Sequence, residues 1–450
     1  MSQPAKRAYY RFLVLFFNCL LNFGFYFCFD IPSVLQEQFQ GNLTCLNVIN
    51  GTTDCVEGLG MTPEQYNLLY AIYAWTNAVV VILAGFFIDK LGNCVIQDLF
   101  IAFWFKSKEL SLAFGLLMAF SRFGSVLNFL LTRSLEARFG IQWTLWGGTL
   151  LCALSFVSAI IVCILDRNGT KQLGLDGVLQ QESKKMRLQD ICHLSLHYWL
   201  LVLTIMFFYN GIFPFIADAT MFIQDKYSGY SHQEASYITG AVFDSSLILV
   251  PIAGILIDYV GLRGIFVMMC AMLTIPVFAL LAFTFVPPLV CMILLGVTYS
   301  FAVASLWTSI IVVVSLANLG TASGIAISVQ MIGVGICNLI VGQILGSKFS
   351  DSKIPVWHWR QMMIFMLANI ICCLITSIIL NIVDTSQGNI LNKITKHSEA
   401  TKEENQEALE TALLLTDRGN EDKIGNEDKI DNEEQFPCFG LREKMNDSPD

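Results

Sequence analysis

Ten stretches of this chain are each long and apolar enough to cross a bilayer, and no other feature narrows the fold as far. A helix rises about 1.5 Å per residue, so about 20 apolar residues span the roughly 30 Å hydrocarbon core. Such runs fall at about 11–29, 65–88, 111–131, 143–165, 198–217, 235–257, 265–286, 290–317, 321–345 and 362–383. Backbone groups inside the hydrocarbon must be satisfied within their own segment, so these runs are read as helices. Gly, Ser, Asn and Trp interrupt the aliphatic residues, as helices that pack closely or line a cavity require. The first run begins near Arg11 and is long enough to remain as a helix rather than be removed as a leader. Cys94–Phe105 is also apolar, but its 12 residues reach only about 18 Å and include Gln97 and Asp98. It is not counted as a span. The expected fold is an all-α polytopic membrane protein.

Charge supplies the orientation. The net charge of −9 belongs almost wholly to residues 386–450, where 8 Lys and Arg meet 16 Asp and Glu. The remainder is close to neutral, which excludes a basic nucleic-acid footprint. Lys6, Arg7 and Arg11 precede the first span, and Arg167, Lys171, Lys184, Lys185 and Arg187 crowd one later loop. Basic residues favour the cytosolic face, so both segments, and with an even span count the tail, are expected there. Lys348, Lys353 and Arg360 fall on the other side, so the rule holds only in part. The 31–62 loop is then luminal. It carries the sequons Asn42-Leu-Thr44 and Asn50-Gly-Thr52 and the cysteines Cys45 and Cys55, a set suited to glycosylation and a disulfide. The other cysteines lie mostly within apolar runs, without a CxxC or Cys/His cluster, and no metal or cofactor is expected.

An internal repeat follows. Gly85, Asp89 and Gly92 close the second span in the pattern G-x-x-x-D-x-x-G, and Gly254, Asp258 and Gly261 close the sixth in the same pattern. Matching copies in two halves indicate duplicated bundles. The glycines are expected to let helices approach, and each Asp to accept from a facing helix N-terminus and hold one state of the bundle. The pattern resembles the major facilitator superfamily, in which two six-helix halves form one transporter. The second half shows six spans, the first only four. Asp258 lies 66 residues before Gly324, but Asp89 only 26 before the matching Gly115. The shortfall of 40 residues equals about the third helix and most of the fourth, as a skipped coding segment near Asn93 or an error of gene prediction would leave it. Removing two helices keeps parity. The domains expected are a cytosolic N-terminus (1–10), an incomplete N-terminal bundle (11–165), a cytosolic linker (166–197), a six-helix C-terminal bundle (198–383) and a disordered acidic cytosolic tail (384–450).

Several stretches narrow the resemblance: Phe23–Pro32, Leu68–Trp75, Trp104–Glu109, Ser121–Ser125 and Gly320–Gly324. On these the chain resembles the lysosomal dipeptide transporters of that superfamily. The resemblance implies dipeptide export by alternating access as a uniporter. It also implies an accessory subunit, a glycosylated lysosomal membrane protein. It places Arg122 against the peptide carboxylate. The Glu that would meet the peptide amino group sits on the fourth helix, within the missing segment.

Arg122 also stands out on physical grounds. An Arg within a span costs about 2.5–3.5 kcal/mol on insertion scales, so it must face a polar cavity or a partner. Its planar fork suits a carboxylate, and an ion pair with Glu136 or a helix end is the plainer alternative. Asp244 either couples a proton or is a passive carboxylate satisfied by Ser245 and Ser246, and the passive role is preferred. Tyr73, Asn128, Tyr299, Trp307 and Gln330, with Tyr26, Tyr70, Trp75 and Tyr209, are the aromatic and amide candidates for a peptide-lined cavity. All five histidines lie at or beyond span ends, and no catalytic constellation is visible, so no enzyme is expected. In the tail, Gly419–Ile424 recurs as Gly425–Ile430, a low-complexity repeat. Glu410, Leu414 and Leu415 form an acidic dileucine signal of the kind clathrin adaptors read. Two other functions stay open: a truncated form that binds its partner without transporting, and a carrier of another small organic solute.

Overall fold

The computed structural model describes residues 8–41, 44–47, 53–56, 58–91, 110–173, 194–227, 229–314, 319–346 and 354–393. Among them nine helices are long and apolar enough to cross a membrane. In chain order the elements are α1 (Ala8–Val34), α2 (Gln36–Gln40), β1 (Thr44–Asn47), β2 (Thr53–Val56), α3 (Pro63–Leu91), α4 (Leu110–Leu173), α5 (Leu196–Lys226), α6 (His232–Val260), α7 (Arg263–Phe283), α8 (Pro288–Val313), α9 (Leu319–Leu345) and α10 (Val356–Ser386). The ten expected spans are all present, because α4 holds two of them. Its limbs meet at Gly140, where φ is +81°, a conformation that glycine adopts without a Cβ penalty.

Some helices, such as α1 and α10, run past their apolar runs by a turn or more, and the N-termini of α3, α5 and α6 carry side-chain caps. Thr62 and Gln65 cap the start of α3 reciprocally, each side chain meeting the other's backbone N–H. Ser231 and Glu234 do the same for α6. Gly261, with φ +84°, turns α6 into α7 within two residues. The linker is shorter than expected at its start, since α4 continues to Leu173. The tail also begins later than 384. Buried Asp384, in the last turn of α10, accepts from the backbone N–H groups of Leu391 and Asn392. Asn392 in turn accepts from Ile265 N–H at the start of α7. These bonds fold residues 387–393 back onto the bundle.

One element departs from an all-α chain. The loop after α2 carries a small antiparallel hairpin, β1–β2, whose register sets Cys45 opposite Cys55. Sequon residues Asn42 and Asn50 lie outside the described residues, as do the stub at 94–105 and the tail with Glu410, Leu414 and Leu415.

In the first half, α1 lies against both limbs of α4. Gly124 lets the first limb approach so closely that a Cβ would stand 2.5 Å from the carbonyl oxygen of Phe23. Gly24 does the same toward Ser155 of the second limb. By contrast, α3 packs mainly on α9 of the other half. Ser328 on α9 donates to the Ala78 carbonyl, and Gly335 and Gly342 leave room for Trp75 and for the start of α3. Between α1 and α3 the contacts are aromatic: Phe25 and Phe29 against Tyr73, and Phe29 against Tyr70. The first limb of α4 meets α6, with Phe129 filling the space above Gly240.

Candidate functional site: the cavity between the halves

Six helices, three from each half, enclose a cavity of about 280 Å³. Asn22, Tyr26 and Phe29 of α1, Tyr73 and Asn77 of α3, and Met118 and Arg122 of α4 line one side. Tyr209 and Phe213 of α5, Trp307 of α8, and Gln330 and Met331 of α9 line the other. Polar and aromatic groups thus converge at mid-span, where a hydrocarbon-facing surface would carry none.

Arg122 is 2% exposed. The rings of Tyr26 and Tyr299 each lie 5.0 Å from its guanidinium carbon, and that of Phe243 lies 5.7 Å away. These ring faces stabilise the cation without consuming its donors. Its Nε has no hydrogen-bond partner. The alternative pairing with Glu136 is overturned: Glu136 meets Arg133 at 3.5 Å, one helical turn away. Beside Arg122, a small inner pocket is lined by Tyr26, Phe29, Asp30, Ser33 and Tyr70. Asp30 is buried, and one of its oxygens has no partner. It brings a carboxylate into the same pocket as the guanidinium.

The other candidates divide. Trp307 donates from Nε1 to Tyr209 Oη at 2.8 Å, and both line the cavity. Gln330 is buried with Oε1 unpartnered, and the Tyr73 hydroxyl is buried and unpartnered too. Tyr299 stands behind Arg122 rather than in the lining. Asn128 also lies outside the lining. It accepts from Thr132 one turn along α4, on the stretch that packs against α6. Trp75 turns to Gly335 instead of the cavity. Asn22, Asn77 and Asp30 are functional candidates that pattern reading missed. Asn22 and Asn77 are polar residues inside apolar runs and Asp30 directly follows one, and that was the available signal.

Above the cavity, at the end that carries the hairpin, hydrogen bonds join the halves. Ser33 donates to the Ile216 carbonyl at 2.9 Å, Gln36 to the buried Asp218 carboxylate at 2.6 Å, and Tyr66 to the Ala217 carbonyl at 3.0 Å. Further out, Glu37 accepts from Arg133 at 3.0 Å and meets His232 of α6 at 2.8 Å. The cavity lining runs from beneath this seal toward Val81, Leu117 and Ile327 at the opposite end.

Two expectations need correction here. Gly254 opens no close approach, since a Cβ there would meet nothing within 4 Å. Asp258 accepts at 3.1 Å from the guanidinium of Arg263, the residue that opens α7. In the first copy the helix covers Gly85 and Asp89, whose side chains are not described, and Gly92 lies outside the described residues. Asp244 is exposed and lines neither the central cavity nor the inner pocket. Ser245 and Ser246 donate to backbone carbonyls rather than to it.

Comparison with known proteins agrees with this architecture. Lysosomal dipeptide transporter MFSD1 of Homo sapiens is 29% identical over 461 aligned positions, which cover 89% of this chain and 92% of that one. Those positions outnumber the residues of this chain, so gaps open on its side. The proteins of the same name from Bos taurus and Gallus gallus are 30% and 33% identical. They cover 90% and 76% of this chain, and 92% and 80% of theirs. Among solved structures, a bacterial homologue of the iron transporter ferroportin superposes with a TM-score of 0.51 at 14% identity, over 83% of this chain and 99% of that one. Tetrameric PepTSo2 gives 0.50 at 12%, over 84% and 99%. The family model for the Major Facilitator Superfamily matches residues 98–337, more than half of the chain. Two helix bundles around a mid-span cavity, these relatives and this family match lead to one conclusion: the chain belongs to the major facilitator superfamily, a family of multi-pass membrane transporters.

Proposed function

We propose that this protein exports dipeptides from the lysosome as a uniporter, by alternating access. The observation that carries the reading is Arg122, a buried cation at the cavity wall with an unpartnered Nε and three rings around it. A peptide carboxylate is the partner such a fork takes best. Asn22, Asn77 and Gln330 offer donors and acceptors to a peptide's amides, and Phe29, Phe213 and Met331 an adaptable apolar wall. The MFSD1 relatives support the substrate class and the compartment. The inter-half bonds at the hairpin end support one sealed state of a two-state bundle. In this reading both termini are cytosolic and the hairpin is luminal. Cys45 and Cys55 then form a disulfide across it, Asn42 and Asn50 carry glycans, and the accessory glycoprotein binds on that side. Clathrin adaptors read Glu410, Leu414 and Leu415 in the tail.

Dipeptide uptake into proteoliposomes tests it. The parent is expected to show saturable uptake. Arg122→Ala is expected to lose about 2–5 kcal/mol of apparent binding, enough to remove the signal. Equal uptake by both proteins would overturn the assignment. One observation favours a second reading, a truncated form that binds its partner without transport. The wall between α1 and α3 rests on a few aromatic contacts and is breached by a lateral cavity. A well-folded protein that takes up no dipeptide yet co-purifies with the accessory glycoprotein would establish that reading.

A further inference from the structure

A second cavity, of about 260 Å³, lies beside the first. Phe25, Cys28, Phe29 and Pro32 of α1 line it, with Leu69, Tyr70 and Tyr73 of α3 and Cys152 of the second limb of α4. Its walls are almost wholly apolar, unlike the amide-rich central cavity. Phe25, Phe29 and Tyr73 line both, so only side chains part them. Phe29 also lines the inner pocket that holds Arg122 and Asp30. A solute held at Arg122 therefore lies one ring away from this apolar space.

We propose that the lateral cavity is a subsite for a bulky apolar or aromatic side chain of the solute whose carboxylate meets Arg122. The proposal rests on the dipeptide reading and adds a preference to it. Volume suits the assignment, since a dry apolar cavity of about 150 Å³ already admits benzene. The wall chemistry selects between two apolar occupants. The buried Tyr73 hydroxyl, unpartnered and shared by both cavities, would be left unpaired by a lipid acyl chain. A peptide amide, or the polar tip of a Tyr, Trp or His side chain, can satisfy it. Aromatic walls on α1 and α3 also give ring partners that an alkyl tail does not use. A diglycine leaves the space empty, whereas a phenylalanyl residue fills it.

The subsite carries its own reporter. The Cys28 and Cys152 sulfurs lie 3.2 Å apart on its wall, and Cys152 is exposed. In the full chain in proteoliposomes, N-ethylmaleimide labelling of the peptide containing Cys152, followed by mass spectrometry, reads occupancy without requiring transport. Diphenylalanine is expected to slow that labelling, and diglycine to leave it unchanged. In uptake, Cys152→Trp is expected to lower diphenylalanine transport at least about tenfold relative to diglycine, the discrimination an apolar pocket gives. Leu69→Trp fills the cavity from the opposite wall and serves where the first variant does not fold. Equal effects on the two peptides would overturn the subsite while leaving the dipeptide reading intact. So would labelling that follows the acyl-chain length of the vesicle lipid instead of the peptide, which marks a lipid site. If no dipeptide is taken up and none protects Cys152, the dipeptide reading fails and the subsite with it.

Discussion

The two halves solve the same packing problem unequally. In the second half, 72% of the apolar window of α5 is buried, and 67% of that of α8. In the first half the figures are 33% for α1 and α3 and 17% for α4. A peripheral helix of the second half, α10, is also 33% buried, so low burial alone marks only an outer position. The difference lies in what the first-half helices lean on. The second half closes on itself through contacts of α5 with α9 and α10, of α6 with α8, and of α7 with α8 and α10. In the first half, α1 is clamped by α4, but α3 is held chiefly by α9 and the first limb of α4 also leans on α6. Among the described residues the first half has two spans fewer than the second, and it leans on surfaces of that fuller partner.

The largest expected effect follows from that dependence. Residues 194–393 expressed alone in detergent should give a protease-resistant core, and residues 8–173 alone should be digested throughout. A resistant first half would break the comparison. A smaller effect separates two glycines. At Gly342 a Cβ would stand 3.1 Å from Asn67 and from the Glu64 backbone, so Gly342→Ile should overpack the α3–α9 seam by about 1–3 kcal/mol. At Gly254 nothing lies within 4 Å, so Gly254→Ala should stabilise the helix by up to about 1 kcal/mol. Thermal unfolding in detergent reads both. If Gly254→Ala lowers uptake without lowering stability, the repeated motif acts in a second conformation that this sealed one does not display.

These contrasts also mark what the chain revealed before folding. Span positions were legible because apolar length is a local property, and their polar extensions were not, because hydropathy says nothing about a capped end such as Thr62–Gln65. Arg122 was legible because a mid-span cation has few tolerable places. The rest of the cavity was harder. Asn22 and Asn77 belong to it and Asn128 does not, although all three are amides within apolar runs. Membership depends on which face each helix turns inward, which is set by partners far along the chain, such as Ala78 with Ser328. The seal residues Gln36 and Asp218 lie 182 positions apart, and nothing local in either announces the other.

The smallest expected effect tests the outer edge of the seam, where both halves meet at Glu37. Burial works to raise the Glu37 carboxyl, but the hydrogen bond and charge of His232, with the Arg133 guanidinium, outweigh it and hold it below its ordinary 4.5. A carboxyl depressed in the folded state stabilises that state above its unfolded value, and the contribution is lost as pH falls through the folded value. The seam should therefore weaken below about pH 4.5, not above it. The Glu37 side chain is 40% exposed, so water screens the pair and the loss should stay under about 1 kcal/mol. Glu37→Gln keeps the size of the side chain and removes its charge. Unfolding temperatures measured from about pH 6 to pH 3 should fall more steeply for the parent than for this variant, because only the parent has an ion pair to lose. Parallel curves would show that the halves are held by the buried bonds of Ser33, Gln36 and Tyr66 alone, and that the charged edge merely accompanies them.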